Sequence, residues 1–208
     1  MANILSTVVA AAPETDLAVV AAMAGQFESY ILRGEVYRTV AVPASADGRG
    51  TGEHRIQSSV GDVLARLHKL EAQSALLTAA QKEAHADAKA QIEETTGRLP
   101  SHFQALLLRE ARARLNSLNW FLDDCSENRR ECRVQYPFEI RNRQRIAEIG
   151  KALDAAGAAA LATHLATIDQ RLGSITSGGE FVWDAAVAQV YPRDEYWYLY
   201  ALPVGPDP

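Results

Sequence analysis

Residues 60–100 read VGDVLARLHKLEAQSALLTAAQKEAHADAKAQIEETTGRLP, and this stretch decides the fold class. Its apolar and small side chains recur every three or four positions, which is the spacing of one face of an α-helix. Ser58 and Ser59 offer an N-cap, Gly97 is placed to end the helix, and Pro100 suits the first turn of the next one. The spacing predicts one helix of about ten turns over residues 60–96. The positions of its apolar face are Val63, Leu64, Leu67, Leu70, Ser74, Leu77, Gln81, Ala84, Ala88, Gln91 and Ile92.

The following stretch predicts a second long helix over residues 101–124. Its apolar side is formed by Phe103, Leu107, Ala111, Leu115 or Arg114, Leu118 and Phe121, and it is widened by Leu106, Trp120 and Leu122. The short link between the two helices leaves room only for an antiparallel hairpin. The same periodicity predicts further helices over residues 14–33, 138–157 and 158–172, with loops at 123–135 and 174–179. We therefore expect a mainly α fold, a helical bundle built on a long antiparallel helix hairpin.

One segment has a different period. Residues 35–43 read EVYRTVAVP, in which β-branched and aromatic side chains alternate as they do in a β-strand. A glycine-containing loop follows, and His54–Gln57 can return as a second strand. The pattern predicts one small β-hairpin near residues 35–57. The loop's three glycines lack the spacing and the Lys-Ser/Thr pair of a phosphate-binding loop.

Length and composition limit the class of protein to which the chain can belong. The chain has 208 residues, 48% of them hydrophobic and 23% charged, which suits a single globular domain over residues 1–208. A net charge of −5 argues against non-specific attraction to DNA or to anionic membranes. No apolar run approaches the roughly 20 residues of a membrane span. The first basic residue is Arg33, so the N-terminus lacks the basic region of a secretory signal, and we expect a cytoplasmic location.

The two cysteines, Cys125 and Cys132, lie seven positions apart in a polar segment. This spacing matches neither a redox CxxC motif nor a zinc site. We expect two reduced thiols, with a local disulfide or redox switch as the alternative. The sequence predicts no bound metal and no cofactor.

Basic residues concentrate in the middle of the chain. Residues 98–151 hold 11 Lys and Arg against 7 Asp and Glu, a local net charge of +4, and ten of the eleven are arginine. Because arginine binds phosphate and carboxylate groups bidentately, these side chains are candidates for an anion or partner site. The candidates are Arg129, Arg130, Arg133, Arg141 and Arg145. The structural alternative is local ion pairing, for example between Glu139 and Arg143.

Three candidate carboxylates, Asp123, Asp124 and Glu127, end the second long helix. Acidic groups are unfavourable at a helix C-terminus, so we expect Arg129, Arg130 and Arg133 to offset them in a salt-bridged loop. Carboxylates so grouped also serve as general acids and bases, which makes this turn the first place to look for an enzyme's site.

Residues 180–202 form an aromatic C-terminal segment, followed by a tail at 203–208 that we expect to be frayed. Pro192 reads as the start of a helix within it. The rings can cap the core or form an interface, since Trp and Tyr dominate binding hot spots. They are too many for one buried face, so we expect some to meet another chain or a ligand. The candidate interface aromatics are Trp183, Tyr191, Tyr196, Trp197, Tyr198 and Tyr200.

These patterns favour a protein that acts through protein–protein contacts and self-associates, through the long helix hairpin or the aromatic segment. No set of residues satisfies the roles of a catalytic site, so we do not predict an enzyme. One alternative is an enzyme or a binder of a small phosphorylated metabolite that uses the turn at residues 123–145. Nucleic-acid binding through the arginine-rich middle ranks below both, and no membrane partner is expected.

Overall fold

A computed structural model describes residues 13–43 and 52–205. The fold is mainly α, as predicted. The helices are α1 (Pro13–Ala24), α2 (Phe27–Arg33), α3 (Val60–Ala72), α4 (Ala79–Arg98), α5 (Pro100–Glu127), α6 (Arg129–Ala152) and α7 (Ala155–Ile175). The strands are β1 (Arg38–Pro43), β2 (Glu53–Ser58), β3 (Thr176–Gly178) and β4 (Ala201–Pro203), and 3₁₀ turns span Ser74–Leu76, Ala185–Val190 and Trp197–Tyr200. Most of the predicted hairpin loop and the end of the predicted tail lie outside the described residues. None of the described helices is both long and apolar enough to cross a membrane.

The described residues form two compact units. The first unit comprises residues 13–43, 52–110 and 152–154, and the second comprises residues 111–151 and 155–205. The boundary falls within α5, so this helix supplies residues to both. The expectation of a single domain over residues 1–208 stays a prediction.

In the first unit, α1 packs against α3, α4 and β1. The predicted β-hairpin is confirmed: β1 and β2 are antiparallel, with Val40 opposite Ile56. Val40 and Val42 are buried while the intervening Ala41 is exposed, which is the two-residue period expected of a half-buried strand.

Two helices that were predicted to be continuous are each divided into two in the structure. The helix expected over residues 14–33 is interrupted between α1 and α2, although Gly34 ends it as expected, in the left-handed conformation at φ 66°. The ten-turn helix expected over residues 60–96 is divided into α3 and α4. The second part begins with its own capping box, in which Thr78 accepts from the Gln81 amide and the Gln81 side chain accepts from the Thr78 amide. The capping box favours a new helix start over continuation.

The start of α3 is held by a buried carboxylate. Ser59 caps the helix by accepting from the Asp62 amide, as predicted. The Ser59 hydroxyl donates to Oε1 of Glu110 at 2.6 Å, and the Gly61 amide donates to Oε2 at 2.9 Å. Glu110 is fully buried, and a buried carboxylate is stabilised by donors such as these and by the partial positive charge of a helix N-terminus.

The second unit contains helix where a loop was predicted. The expected loop over residues 123–135 is wrong, because α5 continues to Glu127 and α6 begins at Arg129. Between them, Asn128 caps α6 by accepting from the Glu131 amide at 3.1 Å. Pro137, expected to open a helix, lies inside α6. The break expected near Gly157 falls earlier, between α6 and α7.

A second small sheet was not predicted. The expected loop over residues 174–179 instead completes α7 and forms β3, which pairs antiparallel with β4, with Ser177 opposite Leu202. Pro203 therefore belongs to a strand and not to a frayed tail. The sequence Thr-Ser-Gly of β3 has no alternating apolar pattern, so its strand depends on pairing with β4.

Replacing the buried carboxylate tests this account of the first unit. Glu110→Ala should lower the free energy of unfolding by about 1–3 kcal/mol, because it removes the acceptor of the buried Gly61 amide, whereas the Ser59 hydroxyl can still donate to Oδ2 of Asp62 at 2.9 Å. Chemical denaturation measures the loss. Glu83→Ala, on the exposed surface of α4, is the control and should change stability by less than about 0.5 kcal/mol. A loss below about 1 kcal/mol for Glu110→Ala would contradict the capping role.

Candidate functional site

The two cysteines form a disulfide, so the expectation of reduced thiols is wrong. Cys125 lies in the last turns of α5 and Cys132 in the first turn of α6, with their Cα atoms 4.8 Å apart. The polar stretch between them is helical on both sides of Asn128, which turns the chain sharply enough to bring the cysteines together. The disulfide therefore fixes the α5–α6 connection.

The three candidate carboxylates do not form the predicted salt-bridged loop. Asp123 accepts from Nη2 of Arg171, on α7, at 2.5 Å. Asp124 and Glu127 are exposed and line a cavity of about 240 Å³ beside the disulfide. In the described part of the chain, no ion pair joins these carboxylates to the arginines at the start of α6. The cavity's charged lining residues are all acidic, which does not suit a phosphorylated ligand.

The five candidate arginines lie in different environments. Arg129 and Arg130 are exposed at the start of α6. Arg133 donates to the carbonyl of Pro203, Arg141 to the carbonyl of Phe138, and Arg145 to the side chain of Gln144. Three of the five therefore use a guanidinium nitrogen within the chain itself. A shared anion site stays a prediction.

A buried arginine of the second unit, Arg143, was expected to form only a local ion pair. Arg143, on α6, donates through Nε and Nη2 to the two carboxylate oxygens of Asp169, on α7, at 2.7 and 2.9 Å. Its guanidinium carbon also lies 4.5 Å from the ring centroid of Tyr198. The predicted partner, Glu139, instead accepts a hydrogen bond from Asn142. Burial lowers the pKa of Arg143, but the hydrogen bonds that it donates to Asp169 and the coulombic effects of Tyr198, Asp169 and Tyr136 together outweigh burial, so the pKa is raised.

The aromatic C-terminal segment packs mostly against its own unit. Tyr191 makes edge contacts with Trp183 at 5.4 Å and with Tyr196 at 5.1 Å, between ring centroids. The indole of Trp183 donates to the carbonyl of Pro137 at 2.8 Å. These rings and Tyr198 are buried, whereas Trp197 and Tyr200 are half-buried. The helix expected at Pro192 is wrong: a turn leads there into the 3₁₀ segment Trp197–Tyr200.

Three buried tyrosines differ in how their hydroxyls are satisfied. Tyr136 donates to the Tyr198 carbonyl at 2.8 Å. Tyr196 donates to Glu148 and accepts from Lys151, each at 2.7 Å. The Tyr198 hydroxyl has no hydrogen-bond partner among the described residues. Burial, which penalises the phenolate, raises the pKa of all three above the ordinary value of 10.0.

Trp120 is the most exposed large apolar side chain in the described part of the chain. It lies on α5 in the second unit, and 70% of its surface is accessible. The expectation that it widens the buried face of this helix is wrong. Asn116, one turn earlier, and Glu127, two turns later, are exposed as well. Trp120 therefore belongs to the outward face of α5.

No cluster of three or more His, Cys, Asp and Glu side chains that could hold a metal ion occurs within residues 13–43 and 52–205. Comparison with known proteins gives no relative: no family model matches the chain, and no curated protein and no solved structure is significantly similar to it. The class that fold and surface define is a mainly helical protein with a disulfide-linked helix pair and an exposed tryptophan.

The tyrosine hydroxyls predict opposite effects of the same substitution. Tyr198→Phe should leave the free energy of unfolding unchanged or raise it by up to about 1 kcal/mol, because it removes a buried hydroxyl that has no partner. Tyr136→Phe should lower it by about 1–2 kcal/mol, because the Tyr198 carbonyl loses its donor. Urea denaturation measures both. Equal losses in the two variants would show that Tyr198 has a partner after all.

Stability should also fall in alkaline solution. As the pH rises above 10.0, the tyrosines of the unfolded chain lose protons, whereas Tyr136, Tyr196 and Tyr198 keep theirs in the folded protein. The unfolded state then binds fewer protons, so the free energy of unfolding falls with a slope that steepens through about pH 10 and approaches about 1.4 kcal/mol per pH unit for each tyrosine by about pH 11. Denaturation between about pH 8 and pH 11 measures the slope. Tyr198→Phe should reduce the slope of the free energy of unfolding against pH by about the contribution of one tyrosine. An unchanged slope would contradict a raised pKa for Tyr198.

Proposed function

We propose that the protein acts through protein–protein contact and that its partner is a second copy of itself, bound through the outward face of α5 around Trp120. The observation that carries the proposal is the 70% exposure of Trp120. Tryptophan is enriched in the few residues that supply most of the energy of protein interfaces. Exposure of its apolar surface to water is unfavourable, and burial of that surface against a partner would lower the free energy.

Exposed charges on either side of Trp120 along α5 support a second copy as the partner. Arg112 lies eight residues before Trp120 and Glu127 lies seven after it, and both are exposed. At 1.5 Å per residue, they stand about 12 Å and about 10 Å from Trp120 along the helix, in opposite directions. Two antiparallel copies of α5 that meet at Trp120 would therefore place Arg112 of each copy near Glu127 of the other.

Such an arrangement is the one that a two-fold symmetric dimer requires, because residue i then contacts residue j while j contacts i. Neither Arg112 nor Glu127 has an ion-pair partner within the described residues, so both are available. At the rim of an interface, charge pairs contribute mainly to orientation and association rate, while the central tryptophan supplies affinity. The pattern thus favours one antiparallel register.

The disulfide bears on where such a dimer would work. Disulfides persist in oxidising compartments and are rare in the cytosol, so the bond between Cys125 and Cys132 weighs against the expected cytoplasmic location. The proposed contact does not depend on the compartment, because it uses side chains on the helix surface.

The proposal predicts a concentration-dependent dimer. Sedimentation of the intact chain should show monomer and dimer in exchange at about micromolar concentration. Trp120→Glu should raise the dissociation constant by at least about tenfold, because it removes the central apolar contact and adds two like charges near the symmetry axis. Leu76→Glu is the matched control, since Leu76 is 62% exposed but lies in the first unit.

Charge reversal tests the register. Arg112→Glu and Glu127→Arg should each weaken the dimer severalfold, whereas the double variant restores the pairing and should return the dissociation constant toward that of the original chain. Arg130→Glu, an exposed arginine on α6, controls for net charge. A chain that stays monomeric, or a dimer indifferent to Trp120→Glu, would refute the proposal, and failure of the double variant to recover would refute the antiparallel register.

A further inference from the structure

A second open feature lies in the aromatic C-terminal segment, and its lining includes neither of the charges that the proposed dimer uses. A cleft of about 320 Å³ is lined by the end of α7, by β3 and by side chains of the segment. Its lining residues are Gly173, Thr176, Ser177, Gly178, Arg193, Trp197, Tyr200 and Ala201. All of them belong to the second unit, and Arg193 is the charged residue among them.

The guanidinium of Arg193 is held in place while most of its donors remain unused. Its Nη2 donates to the Gly179 carbonyl at 2.6 Å, and its central carbon lies 4.9 Å from the ring centroid of Tyr200. Tyr200 is fixed in turn, because its hydroxyl donates to the Tyr191 carbonyl at 2.8 Å. Nε and Nη1 of Arg193 have no partner among the described residues. A positioned guanidinium with free donors suits a carboxylate.

The other walls of the cleft suit a flat ring. Trp197 and Tyr200 are half-buried, so each presents part of its aromatic surface to the cleft. Trp197 makes an edge contact with the buried Tyr198, at 5.9 Å between ring centroids. Nothing lies within 4 Å of the Cβ position of Gly173 or Gly178, so the backbone on this side is open. The volume is at the lower end of that of ligand pockets, which limits the occupant to one or two rings.

We propose that this cleft is a binding site for a small aromatic carboxylate, whose carboxylate pairs with Arg193 and whose ring packs against Trp197. The lining contains no acidic side chain that would repel the anion. The charge selects for the acid over a neutral amide of the same shape, and the aromatic wall selects for a ring over an aliphatic acid. The site goes beyond the proposed dimer, because none of its lining residues lies on α5.

Benzoate is the probe, with benzamide as its neutral counterpart and acetate as its counterpart without a ring. Proton–nitrogen spectra of the intact chain resolve the indole groups of Trp120, Trp183 and Trp197. Benzoate should shift the Trp197 resonance saturably with a dissociation constant at or below about 1 mM, and should leave those of Trp120 and Trp183 in place. Benzamide and acetate should each bind at least about tenfold more weakly.

Two variants separate binding from folding. Arg193→Gln should weaken benzoate binding at least about tenfold and abolish the preference over benzamide, whereas Arg130→Gln should not. Gly173→Leu places a side chain toward open space on a helix, where leucine is favoured over glycine, so it should fill the cleft without loss of stability. No saturable shift up to about 10 mM, equal binding of benzamide, or full binding by Arg193→Gln would overturn the proposal.

Discussion

The second unit depends on the burial of one arginine. Arg143 is 7% exposed, and a guanidinium so far from water is tolerated only when its charge is paired and its donors are used. Asp169 supplies the charge and two acceptors, and the ring of Tyr198 covers a face of the guanidinium. This single side chain therefore joins α6, α7 and the aromatic segment. Removal of Asp169 would leave the buried charge of Arg143 unpaired, and removal of the Tyr198 ring would uncover one face of the guanidinium, so contacts to both elements favour this arrangement.

That arrangement determines which aromatic side chains face outward. While the Tyr198 ring packs on Arg143, two hydrogen bonds join the segment to α6. Tyr136, on α6, donates to the Tyr198 carbonyl, and Trp183 donates to the carbonyl of Pro137, also on α6. The segment's buried rings thus act as core, and Trp197 and Tyr200 are left at its edge. The abundance of aromatic residues is therefore not itself a sign of an interface. The functional proposals rest on the few rings that the packing leaves accessible.

The sequence predicts those elements whose signals are local. The β-hairpin follows from alternation over residues 35–43, and the start of α3 follows from the Ser59 cap. The break before α4 could also be predicted, because Thr78 and Gln81 have the spacing of a capping box. The apolar positions on either side of it keep the same helical periodicity, however, and this favoured one continuous helix. The partner of Arg143 was not readable. Asp169 lies 26 positions away on another helix, and only tertiary packing selects it over the nearby Glu139.

The exposure of Trp120 could be predicted from its angular position around the helix axis, although not from its hydrophobicity. Successive residues of an α-helix are about 100° apart, so Trp120, nine positions after the buried Ala111, points in the opposite direction, at about 180°. Its apolar character made it a natural addition to the buried face, yet its position excludes it. A large ring on the solvent side of an otherwise regular amphipathic helix contributes nothing to the core. Such a residue is better explained by a contact outside the chain, and the same check of angle against polarity would identify it in the sequence alone.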